Sequence, residues 1–280
     1  MLTMMKHMNS QKGFTLIEIA VVFVILAALL AASIYPLTAQ RESAHIAEAK
    51  IQLKEIQEAL YGFAIAQDRI PCPTLPNNGG VSVPPNPVTP ATGPADNCQS
   101  YHGFVPSTTL GISGSVNCDG LLLDPWGQPY RYSVTNTDDP VNGNPGYADF
   151  VVTDETSQVQ IINLDPLLMT GPNQYLRVCR NLGVGCSAST AVDIVTDYGI
   201  AVIYSLGKPR SSSNAQEDEN AGEAAPLASS CGIASYEMPN DRFFYSTGRR
   251  EIVGQEFDDI MIWISPNILY SRLLQAGQLP

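Results

Sequence analysis

The sequence predicts an α+β fold, in which a long N-terminal helix packs on an antiparallel β-sheet head and a short helix closes the chain. Three observations support this prediction. A stretch that starts at residue 14 is almost wholly apolar, and it continues into an amphipathic stretch that ends near residue 67. Short β-like segments follow, separated by turn residues. A Ser-Pro pair then precedes a final stretch with helical periodicity.

Composition argues against two broad classes of protein. The chain has 280 residues, with 15 Lys and Arg against 27 Asp and Glu, which gives a formal net charge of −12. Because neutralising phosphates requires clustered basic side chains, no nucleic-acid partner is expected. Hydrophobic residues make up 44% of the chain, which is too many for a chain that is disordered throughout.

The apolar stretch, residues 14–36, is expected to form a helix that spans a membrane or lies in a filament core. The 22 residues 14–35, which Pro36 follows, would extend about 33 Å as a helix, close to the thickness of a bilayer core. The residues before it are basic, with Lys6 and Lys12, which favours a cytoplasmic N-terminus. Two interpretations compete: a discarded signal peptide cut near Ser33, or a retained helix in which Glu18 has a function.

Residues 12–18, KGFTLIE, supply further information. This segment, followed by an apolar run of the right length, resembles the class III processing signal of type IV prepilins and type II secretion pseudopilins. The resemblance implies that residues 1–13 are a leader peptide and that prepilin peptidase cuts after Gly13 and methylates the amine of Phe14. It further implies a pilin-like fold and a single-pass inner-membrane protein with its head in the periplasm. Such a protein would later assemble with other pilin or pseudopilin subunits into a pilus or pseudopilus and could reach the cell surface.

The resemblance also gives Glu18 a partner. After cleavage, Phe14 would carry a cationic amine that the Glu18 carboxylate of a neighbouring subunit, or of the same subunit, can neutralise. Pairing removes two uncompensated charges from apolar surroundings, where each is costly.

Residues 37–67 are expected to form the amphipathic half of the helix, with the β-rich head in residues 68–280. Apolar residues recur at steps of three and four, which predicts one buried stripe: Ile46, Ala49, Leu53, Ile56, Leu60 and Phe63. A proline-rich loop is expected over residues 71–94, either as a connector or as a surface that faces other subunits. The predicted strands are 130–134, 150–153, 159–163, 175–179, 200–206, 243–246 and 260–264. A C-terminal helix follows, with Ser265 as its N-cap and a stop near Gly277.

Two local patterns in the head resemble the major pseudopilin of type II secretion. Residues 124–132 are DPWGQPYRY, and residues 204–207 are YSLG, which in that family precedes a calcium-binding loop. The acidic loop that follows here suits calcium chemistry, and its candidate ligands are Glu217, Asp218, Glu219 and Asn220, with Asp258 and Asp259 as weaker ones. The alternative is an acidic loop that is simply solvated.

Six cysteines lie beyond the apolar helix, which predicts disulfides formed in an oxidising compartment: Cys72, Cys98, Cys118, Cys179, Cys186 and Cys231. The short intervening turn favours pairing of Cys179 with Cys186, and the sequence leaves the other pairings open.

No catalytic constellation is present in the sequence, so an enzyme is not expected. The sequence favours a structural filament subunit, and the large head favours a minor, tip or initiating role. The alternative is a pilus-tip adhesin or DNA-uptake pilin that binds a ligand through its head. For DNA, the only basic candidates are Arg242, Arg249 and Arg250, beside the aromatic residues 243–245.

Overall fold

The computed structural model describes residues 13–67, 70–82, 98, 100–135, 176–180, 186, 193–209, 215–222, 236–239, 242–250 and 256–277. Of residues 31–39, 215 and 217 it describes the backbone alone. The chain divides into two compact units, Met1–His45 and Ile46–Pro280.

The described part of the chain combines helices with mainly antiparallel sheets, which confirms the predicted α+β class. The helices are α1 (Leu16–Gln67), α2 (Ser107–Leu110), α3 (Ala215–Ala221) and α4 (Pro266–Gln275). The strands are β1 (His102–Phe104), β2 (Arg131–Val134), β3 (Leu176–Cys179), β4 (Ile194–Gly199), β5 (Ala201–Ser205), β6 (Phe243–Tyr245) and β7 (Ile260–Ile264).

The strands form two sheets, and one pairing departs from the prediction. The larger sheet has the order β1-β2-β5-β7 and is antiparallel throughout. The smaller has the order β4-β3-β6, and β3 pairs with β6 in parallel. The expectation of a single antiparallel sheet was therefore wrong for this pair. Parallel strands need a long connection, and the chain between β3 and β6 is long enough to contain β4, β5 and α3.

Five predicted strands are confirmed, because β2, β3, β5, β6 and β7 lie within the segments expected from the sequence. The strands predicted at 150–153 and 159–163 lie outside the described residues. Prediction missed β1 and β4. β1 has only three residues. β4 has exposed and half-buried positions in no regular order before one buried glycine, so neither segment has the apolar pattern of a central strand.

The second unit is built around the predicted apolar stripe of α1. Leu53, Ile56 and Leu60 are fully buried, while Ile46 and Phe63 at the two ends are half-buried. The stripe packs in the main core with Tyr130 and Tyr132 of the larger sheet's β1–β2 region and with α4. Burying a large aliphatic side chain contributes about 1.5–3 kcal/mol, so this face holds the helix on the sheet.

Polar contacts fix the position of the helix along the sheet. The Tyr130 hydroxyl donates to Gln52 Oε1 at 2.6 Å. Gln57 Nε2 donates to the Trp263 carbonyl at 2.9 Å, which satisfies a backbone acceptor on the edge strand β7. Side-chain hydrogen bonds of this kind are directional, so they select one register among those that the apolar stripe alone would allow.

The C-terminal helix begins and ends where the sequence predicts. Ser265 occupies the N-cap position in extended conformation and Pro266 is the first helical residue, although no side-chain capping bond forms. Leu269 and Leu273 are buried in the main core. Arg272 lies 3.0 Å from Glu58 of α1 and over the ring of Tyr61.

Disulfide bonds close two short loops in the head. Cys179 is bonded to Cys186, the pair favoured by the sequence, with Cα atoms 5.9 Å apart. Cys72 is bonded to Cys98, with Cα atoms 5.4 Å apart, so this bond closes the proline-rich segment. Cys118 is also disulfide-bonded. Cys231 lies outside the described residues.

In the first unit, the described side chains of α1 are apolar and exposed from residue 16 to residue 30, with Glu18 as the one charged group among them. Leu16 is 88% exposed and Phe23 66%. Among the residues that the structure describes, no helix combines the length and the apolar character needed to cross a membrane.

Two isoleucines on α1 test how much the buried stripe contributes. Ile56→Ala is expected to lower the free energy of unfolding of the head by about 2–5 kcal/mol, because it leaves a cavity under the sheet. Ile51→Ala is the matched control, since Ile51 lies on the same helix but is 69% exposed. Urea unfolding of the full chain in detergent, followed by tyrosine fluorescence, measures both. Equal destabilisation by the two variants would contradict the proposed packing.

Candidate functional site

The first turn of α1 holds the candidate processing and assembly residues. Gly13 and Phe14 precede the helix and are exposed, with Phe14 84% accessible. The helix starts at Leu16, so Thr15 occupies the N-cap position and Glu18 the third helical position. The peptide bond between Gly13 and Phe14 therefore lies outside regular helix.

Thr15 and Glu18 form a reciprocal capping box. Glu18 Oε2 accepts hydrogen bonds from the Thr15 backbone amide and from Thr15 Oγ1, each at 2.9 Å. In return, the Glu18 amide lies 3.4 Å from Thr15 Oγ1. This is the T-x-x-E arrangement in which two amides at a helix start obtain partners from side chains. The negative carboxylate also lies at the positive end of the helix dipole.

Glu18 occupies the centre of an apolar face. Phe14, Ile17, Val21 and Val22 line an open groove beside it. Phe14, Val21 and Val22 differ from Glu18 by three or four residues, the spacing that places side chains on one side of a helix. Among the described side chains of residues 14–30, Glu18 is the one charged group.

The DPWG segment forms a turn organised by Asp124. Its Oδ1 accepts the amides of Trp126 and Gln128 at 3.0 and 2.8 Å, and its Oδ2 accepts the hydroxyl of Ser205 from the YSLG segment. Burial raises the pKa of Asp124, and these hydrogen bonds oppose the rise. The two patterns singled out in the sequence are therefore in direct contact.

The glycine of the YSLG segment is required by its surroundings. Gly207 has φ of +66°, and a Cβ atom placed there would lie 2.6 Å from the carboxyl carbon of Asp258. The same carboxylate accepts the Lys208 amide at 3.1 Å through Oδ2. Asp258 thus holds the turn after β5, a structural role that the sequence did not reveal.

The acidic segment after this turn is helical where it is described. Residues Ala215–Ala221 form α3, so the expectation of a loop was wrong there. Asn220 is fully buried, and its amide group bonds the backbone of Tyr245 twice: Oδ1 accepts the amide and Nδ2 donates to the carbonyl, each at 2.8 Å. Nδ2 also donates to Asp259 Oδ2 at 2.7 Å.

These bonds bear on the calcium hypothesis. The side-chain oxygen of Asn220 accepts a backbone amide of β6, which uses one of its two lone pairs. Asp218 is exposed on α3, and Glu219 is half-buried there. The side chain of Glu217 lies outside the described part of the chain. Within the described ranges, no group of three or more His, Cys, Asp or Glu residues is arranged to hold a metal ion. Calcium binding by this segment stays a prediction.

The basic and aromatic residues considered for DNA are largely engaged within the head. Arg242 lies 3.6 Å from Asp197 and over the ring of Phe243. Phe244 is fully buried and Tyr245 is 4% exposed, so neither can stack on a base.

One pair of side chains has the composition of a catalytic dyad but lies in the interior. His102 Nδ1 lies 2.9 Å from Ser133 Oγ. Ser133 is 1% exposed, and burial lowers the pKa of His102 to about 4. A nucleophile that no substrate can reach has no use in hydrolysis, and this contact fastens β1 to β2.

The capping box predicts that the hydroxyl of Thr15 stabilises the start of the helix. Thr15→Val keeps the shape of the side chain but removes the hydroxyl, and we expect it to weaken the first turn by about 1 kcal/mol. Thr15→Ser retains the hydroxyl and is the control. Amide hydrogen exchange of residues 15–19 in detergent micelles measures the effect. Unchanged exchange in Thr15→Val would show that the cap contributes nothing.

The environment of Gly207 predicts a large effect of one methyl group. Gly207→Ala should destabilise the head by more than the roughly 1–2 kcal/mol that a positive φ alone costs, because the Asp258 carboxyl group must also move. Gly127→Ala is the matched control, since Gly127 has φ of +82° with nothing within 4 Å of a Cβ atom. Thermal unfolding of the two variants separates the cost of the positive φ, which both share, from the cost of the contact with Asp258, which only Gly207→Ala makes. If Gly207→Ala loses less stability than Gly127→Ala, the proposed role of Asp258 is wrong.

One of three comparisons with known proteins finds a match, and it lies in the same segment. No curated protein and no solved structure matches the chain significantly. One family model, described as the prokaryotic N-terminal methylation motif, matches residues 8–34. This match spans the candidate cleavage site, the capping box and the apolar groove described above. The chain therefore carries the N-terminal methylation motif that is typical of type IV pilins and pseudopilins.

Proposed function

We propose that this protein is a minor structural subunit of a type IV pilus or of a type II secretion-like pseudopilus. In this proposal prepilin peptidase removes residues 1–13 and methylates Phe14, and residues 14–36 hold the subunit in the inner membrane with its head in the periplasm. The subunit is then extracted and packed with other pilin or pseudopilin subunits through the same helix. The observation that carries the proposal is the methylation motif at residues 8–34.

The exposed apolar face of α1 supports assembly through the helix. Water alone is a poor environment for a face on which Phe14, Leu16 and Ile17 are 71–88% exposed. A lipid bilayer or the apolar helices of other subunits would cover it. A motif for N-terminal processing immediately before such a face favours a helix that is retained after cleavage rather than discarded.

Glu18 supports a specific mode of packing. Its carboxylate accepts two hydrogen bonds from Thr15, so within one subunit the charge is already solvated by the helix start. Cleavage after Gly13 creates a cation at Phe14, on the same apolar face. In a filament, pairing of this amine with the Glu18 carboxylate of a neighbour neutralises both groups, and an unpaired amine would be strongly disfavoured.

The head supports a structural rather than an enzymatic role. Its buried polar groups, such as Asn220 and Asp124, bind backbone amides and hold turns together. In the Ser133–His102 pair, Ser133 is buried and His102 is half-buried. We do not propose a DNA-uptake function, because two of the three aromatic residues beside Arg242 are in the core. The size of the head favours a low-abundance subunit placed at a tip or at initiation.

Replacing Glu18 tests the proposed charge pairing. Glu18→Ala and Glu18→Val should still be cleaved and methylated, because the peptide bond after Gly13 is unchanged. Incorporation into filaments should fall more than about tenfold, since an uncompensated buried charge costs about 3–5 kcal/mol. Cleavage is measured by mass spectrometry and incorporation by immunoblotting of sheared filaments.

Glu48→Ala is the matched control, because Glu48 is an exposed acid on the amphipathic half of the same helix. It should be processed and incorporated normally. Normal incorporation of both Glu18 variants would overturn the assembly role of Glu18. Loss of cleavage in those variants would instead place Glu18 in recognition by the peptidase.

A further inference from the structure

We propose that Asn78 is a site of spontaneous covalent modification, at which the folded chain deamidates to aspartate and isoaspartate. The proposal rests on the turn at residues 76–80 of the head and is independent of the role of the N-terminal helix. The reaction needs water as its only co-reactant.

The turn presents its asparagine-glycine pair to solvent. Asn77, Asn78 and Gly79 are all exposed. Gly79 has φ of +60°, and a Cβ atom built on it would meet nothing within 4 Å, so the side of this residue on which a side chain would stand is open. The backbone of Asn78 is held in place, because its amide donates to the Leu75 carbonyl at 3.3 Å and its carbonyl accepts the Val81 amide at 3.1 Å.

The attacking group is the backbone nitrogen of Gly79. Among the described residues this amide donates no backbone hydrogen bond, so no such bond has to break before it reacts. Glycine also lacks the side chain that would shield its nitrogen from the neighbouring side chain. An Asn-Gly pair in an exposed turn therefore combines an accessible nucleophile with an adjacent amide carbonyl.

The reaction balances without any oxidant or reductant. The Gly79 nitrogen attacks Cγ of Asn78 and loses its proton, a bond forms between these two atoms, and the Cγ–Nδ2 bond breaks with release of ammonia. Water then opens the resulting five-membered ring. Opening at Cγ gives aspartate, and opening at the backbone carbonyl gives isoaspartate, in which the main chain runs through the former side chain. The net change is asparagine plus water to a carboxylic acid plus ammonia.

Modification would disturb a defined contact of the turn. The Gly79 carbonyl accepts the hydroxyl of Thr108 at 2.6 Å, and the Gly80 carbonyl accepts the Thr108 amide at 3.0 Å. A Cβ atom on Gly120 would lie 2.5 Å from the Gly79 Cα atom, so the two backbones are in close contact. Isoaspartate inserts one methylene into the main chain immediately before Gly79 and adds a negative charge, which would loosen this docking.

The experiment uses the full-length chain in detergent, incubated at pH 8 and 37 °C for days and then digested. Mass spectrometry with electron-transfer fragmentation identifies aspartate and isoaspartate at residue 78 and follows Asn142, which also precedes a glycine, as an internal comparison. We expect both products at residue 78. Asn78→Gln should abolish modification at this residue, because ring closure would then require a six-membered ring. A urea-denatured sample shows that the assay detects the reaction.

Accumulation of both products at residue 78 in the native sample, with their loss in Asn78→Gln, would support the proposal. If Asn78 stays intact in the native sample while the denatured sample reacts, the fold protects the site and the proposal is wrong. Modification of Asn142 alone would overturn it equally.

Discussion

The constraint on which the account depends is the presence of a carboxylate in the middle of an apolar helical face. A charge in such surroundings must have partners, and Glu18 obtains two hydrogen bonds from Thr15 within the same turn. This capping box also satisfies the start of the helix. The group on which the proposed assembly depends is thus held by Thr15 within the single chain.

The head depends on a different balance, in which burial holds the helix and polar contacts define its position. The stripe of Leu53, Ile56 and Leu60 supplies the apolar contact with the sheet, and Gln52 and Gln57 fix the register. In the rest of the head, buried polar side chains hold the turns and strands in place through hydrogen bonds to the backbone. Asp124 holds the DPWG turn, and Asn220 joins α3 to β6. Disulfides supplement a core that is divided among several clusters.

The sequence predicted what depends on local periodicity and chemistry. The stripe on α1, five strands and the limits of α4 follow from spacing, and the Cys179–Cys186 pair follows from the short turn between the two residues. It did not predict the parallel pairing of β3 with β6, because that contact joins segments far apart in the chain. The capping box could have been found, since T-x-x-E before an apolar run is a known helix start. The roles of Asn220 and Asp258 could not, because each depends on a partner from another element.

The most direct test of the central claim is the intact mass and N-terminal sequence of the protein recovered from its native membrane and from sheared surface filaments. The account predicts a chain that begins at Phe14 and is heavier by one methylene group than the unmodified sequence from that residue. It further predicts that this form occurs in both fractions. A chain that begins near Ser33 would contradict the account, because the apolar helix would then be a discarded signal peptide and Glu18 would be absent from the mature protein.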